Sequence, residues 1–221
     1  MANQVQILST KILSPLHKQE LIKYGIEVIE ADFIKTENNP FELKDLNESL
    51  IFTSQNAVHS VLSHPKAEEL KKKNVYCVGL KTKTLLTDNG FNVIAYTGYA
   101  SDLAEIITLI YRNESYTFFS GNLRRDTLPE ALKENGIKFN EIQVYDTTLH
   151  PQKIKGNHEA VLFFSPSGVK SYLKDNSINK QICFCIGDTT ADALSKITKN
   201  IIVADQPTIE DVIEDVIQEY K

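Results

Sequence analysis

The stretch Leu162-Phe163-Phe164-Ser165-Pro166-Ser167-Gly168-Val169 decides the fold of this chain. It starts as a short apolar run, stops at small hydroxyl residues and then opens a helical pattern of apolar residues that continues to Leu173. This pattern predicts a buried strand, a tight turn and a helix. Ser165 or Ser167 can cap that helix, which leaves backbone N–H groups at the carboxyl end of the strand, where an anion binds favourably.

The same pattern occurs earlier, at Leu50-Ile51-Phe52-Thr53-Ser54-Gln55-Asn56-Ala57-Val58. The two halves of the chain align at a nearly constant offset of 111 positions, which pairs Ser9 with Ser120 and Ser54 with Ser165. An offset that holds over the full length indicates an internal duplication.

Each half predicts the order β-α-β, a linker, then β-α-β-α-β-α. Strands that alternate with helices in this way predict an α/β protein with two similar domains, each a parallel, flavodoxin-like sheet flanked by helices. Within the first half, Asn38-Asn39-Pro40 indicates a linker and predicts the cap of a short helix through Leu46.

Composition excludes several classes of function. The net charge of −5 argues against a general nucleic-acid binder, because phosphate contacts need a basic surface. The N-terminal residues show no signal pattern, and no apolar run is long enough to span a bilayer, so we expect a cytoplasmic protein without a membrane partner. Cys77, Cys183 and Cys185 lie in apolar runs without metal-ligand spacing, so we expect reduced core residues.

Small or polar residues follow nearly every predicted strand. They are Ser9-Thr10-Lys11, Thr53-Ser54, Gly79, Ser120-Gly121-Asn122, Ser165-Pro166-Ser167-Gly168 and Gly187-Asp188-Thr189-Thr190. Ligands of open α/β sheets bind at the carboxyl ends of strands, so the collection indicates a binding site. The alternative is that turns and helix caps simply require Ser, Thr and Gly.

Other chemistries lack their motifs. The sequence has neither the glycine fingerprint of dinucleotide-binding folds nor a phosphate-binding loop. Its five histidines have no metal-site spacing, and no Gly-x-Ser-x-Gly elbow is present.

Two further positions have alternative interpretations. Arg124, beside Asp126 at the start of a predicted helix, is either part of a solvated helix face or a clamp for a carboxylate. Tyr145 ends a predicted strand; it either fills an interdomain seam or offers its phenol O–H to a leaving hydroxyl.

Five segments, in this order, make the chain similar to the uroporphyrinogen-III synthase family over essentially its whole length. They are LIFTSQNAV (residues 50–58), FFSGNLRRDTLPEAL (118–132), VYDT (144–147), FFSPSGV (163–169) and IGDTTADAL (186–194). The resemblance implies an enzyme, a cyclising hydro-lyase of haem biosynthesis. It would convert the linear tetrapyrrole hydroxymethylbilane to uroporphyrinogen III, with inversion of ring D and loss of water.

The resemblance also implies how the enzyme is organised. It implies a first domain of residues 1–35 and 148–221, a second of residues 36–147, a two-segment hinge and an active cleft between the domains. It implies a monomer that needs no metal or organic cofactor, with transient handover of the substrate from hydroxymethylbilane synthase.

The resemblance assigns roles to single residues. Tyr145 matches the family tyrosine that is proposed to assist departure of the hydroxyl. The substrate-binding residues that it implies are Thr53, Ser54, Asn56, Gly121, Asn122, Arg124, Ser165, Ser167, Gly168, Thr189 and Thr190. Asp188 departs from the family, which often has proline or another neutral residue there.

Two rival functions stay open from the sequence. A cytoplasmic two-lobed small-molecule binding or sensor protein without catalysis has the same duplicated architecture. A nucleotide-binding regulator is disfavoured by the missing glycine fingerprint.

Overall fold

The computed structural model describes residues 5–221, which form two compact units. Of the described residues, the first unit holds 5–35 together with Thr148–Lys221, and the second holds Thr36–Thr147. Each unit has its own sheet, and helices alternate with the strands along the chain.

The strands are β1 (Val5–Ser9), β2 (Ile26–Glu30), β3 (Ile34–Asn38), β4 (Ser49–Phe52), β5 (Asn74–Val78), β6 (Asn92–Thr97), β7 (Tyr116–Gly121), β8 (Phe139–Leu149), β9 (Ala160–Phe163), β10 (Ile182–Cys185) and β11 (Ile201–Val203). The helices are α1 (Pro15–Lys23), α2 (Gln55–Leu62), α3 (Ala67–Leu70), α4 (Leu80–Asp88), α5 (Ala100–Leu109), α6 (Thr127–Glu134), α7 (Pro166–Asp175), α8 (Asp188–Asp192) and α9 (Ile209–Tyr220). No helix within residues 5–221 is long and apolar enough to cross a membrane.

The first sheet has the order β11-β10-β9-β1-β2, and all its pairs are parallel. The second has the order β3-β8-β7-β4-β5-β6, and its pairs from β8 to β6 are parallel. The predicted parallel sheets flanked by helices are therefore confirmed. The first sheet follows the flavodoxin strand order. The second has a permuted form of it, with β7 and β8 in the places of the first two strands and β3 added at the edge. In each sheet the strand order reverses at a switch point, which is where ligands bind. That switch point lies between β1 and β9 in the first unit and between β7 and β4 in the second.

The central strands are apolar on both faces because helices cover both faces of each sheet. Every residue of β4, β7 and β9 is buried. In the first unit, Ile7 and Leu162 pack in one core while Leu8 and Val161 pack in the core on the other face. The three cysteines are free and buried, Cys183 and Cys185 in the core with Leu8 and Cys77 in a core of the second unit, which confirms their predicted core positions. Burial raises each thiol pKa to about 12.

One predicted element is wrong, namely the short helix after Asn38-Asn39-Pro40. Residues 39–48 are irregular instead. The Asn39 N–H donates to the Val144 carbonyl at 2.9 Å, and the Asn47 side chain donates to the Tyr116 carbonyl at 2.7 Å. These bonds tie the two ends of the segment to β8 and β7, so long-range pairing overrides the local capping signal.

Candidate active site

The switch point of the first unit brings the end of β1 to the start of α7. Ser165 is the N-cap of α7, since its Oγ accepts the Gly168 N–H at 3.0 Å, and the Ser167 Oγ lies 3.0 Å from the Ser165 Oγ. After β1, the Thr10 hydroxyl donates to the Leu162 carbonyl at 2.7 Å. The cap that the sequence left open between two serines is therefore Ser165.

Gly168 allows α7 to begin close to β1. A Cβ at this position would lie 3.3 Å from the Ser165 Oγ and 3.7 Å from the Thr10 Oγ1. Thr10, Ser165 and Gly168 thus share one small region at the carboxyl end of the sheet, where an open α/β fold binds its ligands.

Two predicted binding residues in the turn after β10, Thr189 and Thr190, differ in their exposure to solvent. Thr190 is buried, with its N–H donating to the Gly187 carbonyl at 2.9 Å, while Thr189 is exposed. Asp188 is exposed in the first turn of α8, where its charge is favourable to the helix but repels an anionic ligand.

The second unit repeats the capping device at the end of β4. The Ser54 Oγ accepts the Asn56 N–H at 3.1 Å and caps α2. Thr53 and Ser54 are half-buried and Asn56 is exposed, so all three line the carboxyl end of the strand next to β7.

Tyr145 lies directly on Gly121. The two residues are opposite each other in the β7–β8 pair, after a shift of register that passes over Val144. A Cβ on Gly121 would come within 2.3 Å of the Tyr145 Cζ, so only glycine leaves room for this half-buried ring. The register shift re-aims the tyrosine, as bulges beside functional sites commonly do.

Asn122 is bonded to the backbone of β8. Its Oδ1 accepts the Thr147 N–H at 2.8 Å and its Nδ2 donates to the Thr147 carbonyl at 3.2 Å. Its own N–H donates to the Tyr145 carbonyl at 3.3 Å. Sequence reasoning placed Asn122 among the ligand residues and gave no sign of these bonds, because Thr147 lies 25 positions away.

Arg124 is held by two carboxylates of its own unit. Its Nε and Nη2 donate to the two Glu141 oxygens at 2.7 and 2.9 Å, and its Nη1 pairs with Asp126. Burial raises the pKa of the Glu141 carboxyl, but hydrogen bonds from Arg124 and Ser120 and the arginine charge outweigh it, so the pKa lies below its ordinary value. Much of the Arg124 charge is therefore already neutralised, and Glu141 is the partner that sequence reasoning missed.

This pair predicts how stability responds to acid. Because the folded-state pKa of Glu141 is lowered, its contribution to the free energy of unfolding is present above the ordinary pKa of 4.5 and is lost as the pH falls through the lower folded value. Glu141→Gln should therefore flatten the acid limb of a plot of thermal midpoint against pH, measured from about pH 7 to pH 3. The matched variant Glu134→Gln, at an exposed position on α6, should leave the slope unchanged, and equal slopes in both variants would contradict the assignment.

Among the residues that the structure describes, no group of three or more His, Cys, Asp or Glu side chains could hold a metal ion.

A sequence model of the family described as uroporphyrinogen-III synthase HemD matches residues 17–214. The chain belongs to this family. Uroporphyrinogen-III synthases are enzymes of tetrapyrrole biosynthesis, so the family and the enzyme class that the sequence predicted are confirmed.

Two relatives agree with this membership, and a solved structure has the same fold. The chain is 28% identical over 207 residues to the uroporphyrinogen-III synthase of Chlorobaculum parvum, which covers 80% of this chain and 82% of that protein. It is 30% identical over 161 residues to the uroporphyrinogen-III synthase of Saccharomyces cerevisiae, and the match spans 58% of each chain. The crystal structure of uroporphyrinogen-III synthetase from Helicobacter pylori 26695 has a TM-score of 0.75 at 23% identity, covers 97% of this chain and 99% of that one, and shows the same fold.

Proposed function

We propose that this uroporphyrinogen-III synthase family member cyclises hydroxymethylbilane to uroporphyrinogen III, with inversion of ring D and loss of water. The observation that carries the proposal is the family match over residues 17–214. Polar, capped strand ends at the switch points of both units support it, since that is where an α/β fold binds its ligand.

The substrate class fits the donors at these strand ends. Hydroxymethylbilane is a flexible octacarboxylate, and the chain has a net charge of −5, so its carboxylates need local donors rather than a general positive field. The N-termini of α2 and α7 and the hydroxyls of Thr53, Ser165 and Ser167 are such donors. Because Arg124 is paired with Glu141, it contributes less charge to the substrate than a free guanidinium would.

The chemistry requires little acid–base machinery. The hydroxyl leaves an electron-rich pyrrole readily, taking one proton as it departs as water and leaving an azafulvene cation. That carbon bonds to the α-carbon of ring D that already carries the bridge from ring C, which gives a spiro intermediate. The bond between ring D and this bridge then breaks and leaves a second azafulvene cation on ring C. The bridge carbon re-bonds at the free α-carbon of ring D, which loses its proton, so ring D is inverted in the closed product. The main task of the protein is to hold the chain so that this closure is faster than direct closure. We assign the donation of the proton to the Tyr145 phenol.

The proposal is tested by incubating the protein with hydroxymethylbilane generated in the same vessel and separating the oxidised porphyrin isomers. We expect type III porphyrin in amounts that rise with protein concentration. A binding or sensor protein would leave only the type I isomer that forms spontaneously, and that outcome would replace catalysis by binding.

The role of Tyr145 predicts the effect of Tyr145→Phe. We expect the rate of type III formation to fall about 10-fold. This is less than the usual effect of losing a general acid, because the hydroxyl leaves easily. The thermal midpoint should be unchanged, since the ring stays on Gly121. Tyr96→Phe is the matched control, because that ring is exposed and contacts the Lys83 ammonium instead. A rate for Tyr145→Phe equal to that of the parent would leave the tyrosine with a packing role alone.

The source of the substrate and the location of the enzyme are further proposals. Hydroxymethylbilane closes spontaneously to the type I isomer, so direct transfer from hydroxymethylbilane synthase would limit that loss. We propose such a transient handover to a cytoplasmic monomer. If it occurs, a catalytically inactive form of this chain, added as a competitor for hydroxymethylbilane synthase, should raise the fraction of type I product.

A further inference from the structure

The last residue of β7, Gly121, and the residue that follows it, Asn122, both contact the segment of β8 that bears Tyr145. Gly121 leaves room for the Tyr145 ring, and Asn122 bonds to the Tyr145 carbonyl and to both backbone groups of Thr147. We propose that Asn122 is a positioning residue that acts through Tyr145, and not a ligand of the substrate. The inference rests on the proposed function, since it concerns the same site.

The hydrogen bonds of the Asn122 amide support this role. An asparagine side chain offers one oxygen acceptor and two N–H donors, and here the oxygen and one donor are engaged with Thr147. Accepting from the N–H and donating to the carbonyl of the same residue is what a strand neighbour does in a ladder. The side chain therefore extends the β7–β8 pairing beyond the last backbone pair, at Gly121 and Tyr145.

Loss of the two bonds between the Asn122 side chain and Thr147 would loosen the end of β8 next to Tyr145. Without the amide, both Thr147 backbone groups would turn to water, and only the bond from the Asn122 N–H to the Tyr145 carbonyl would still hold the segment that follows the tyrosine. A small misplacement of a reacting group can reduce the rate strongly even where binding is unaffected. The expected signature is thus a fall in kcat without a rise in KM.

The first measurement is kinetic. Asn122→Ala should lower kcat for type III formation about 10-fold and leave KM within about two-fold. Asn122→Asp, which keeps the acceptor for the Thr147 N–H but loses the donor for its carbonyl, should fall between Asn122→Ala and the parent. The matched control is Asn135→Ala, because that amide bonds only to the Ala131 carbonyl in the hydrogen bonds described at the end of α6. A rise in KM for Asn122→Ala would overturn the proposal in favour of direct substrate binding.

The second measurement is a double-mutant cycle. In a Tyr145→Phe background, Asn122→Ala should cause less than about a two-fold further loss, because the phenol through which it acts is already gone. A direct ligand would instead give losses that multiply. Multiplying losses, or a Tyr145→Phe variant as active as the parent, would overturn the inference.

The third measurement is independent of activity, so it separates this inference from the proposed function. Amide hydrogen exchange should show faster exchange at Thr147 in Asn122→Ala than in the parent or in Asn135→Ala. Unchanged protection at Thr147 would overturn the inference even if the chain proved to be an active synthase. Absence of type III product in the parent, with faster exchange in Asn122→Ala, would overturn the proposed function alone.

Discussion

Gly121→Ala is expected to lower the rate of uroporphyrinogen III formation by about 10-fold, as much as loss of the phenol in Tyr145→Phe, while the protein remains folded. A methyl group there would lie 2.3 Å from the Tyr145 Cζ and 2.4 Å from its Cε2, distances that non-bonded atoms do not tolerate. The ring is the far end of a side chain, so it can swing aside without disturbing the sheet. The change therefore displaces the phenol instead of deleting it, and kcat measured with freshly generated hydroxymethylbilane should reveal the displacement.

The control for this experiment is Gly98→Ala. Gly98 is exposed, lies in the turn before α5, and a Cβ there would meet no described atom within 4 Å. It should keep the rate and the thermal midpoint of the parent. If Gly121→Ala kept its rate within about two-fold of the parent, the position of the Tyr145 ring would not matter to catalysis.

The architecture could be predicted because its signals are local. The apolar runs that became β4 and β9 are buried on every residue, and a helix with a serine cap follows each of them directly. Periodicity does not specify which strands become neighbours. The pairing of β4 with β7, and of β1 with β9, joins segments from different halves of the chain, and the local patterns are identical whichever partner is chosen.

In the candidate site, too, local features could be predicted from the sequence and long-range contacts could not. Serine caps at the starts of α2 and α7 follow from the local sequence, although the choice of Ser165 over Ser167 required the structure. The bonds of Asn122 to Thr147 and of Arg124 to Glu141 join residues 25 and 17 positions apart. A sequence shows that such side chains can bind a ligand, but only the paired strands show that their groups are already engaged.

The predicted helix after Asn38-Asn39-Pro40 failed for the same physical reason. Asparagine and proline favour a helix start when the following backbone has no better partner. Here Asn39 and Asn47 bond to β8 and β7, and Asn47 accounts for several of these bonds through its backbone and side chain. Long-range hydrogen bonds therefore outweighed the local helix propensity, and the sequence near residues 38–48 gives no sign of them.

Phe119→Ala should destabilise the second unit by about 3–5 kcal/mol. Phe119 is fully buried in β7, and its ring stacks on Phe52 at 5.2 Å and meets the edge of Phe41 at 6.3 Å. Truncation removes the transfer free energy of the ring and leaves a cavity that the flanking strands cannot close, because each is fixed by its ladder bonds.

Urea denaturation followed by circular dichroism and tyrosine fluorescence measures this loss of stability. Both probes are needed, because a chain of two units has a single free energy of unfolding only if the two transitions coincide. Leu109→Ala is the control, since Leu109 is 71% exposed at the end of α5 and its truncation should change stability by less than about 0.5 kcal/mol. A loss below about 1 kcal/mol for Phe119→Ala would mean that Phe52 and Phe41 refill the space, and that this core is less rigidly packed than its aromatic contacts indicate.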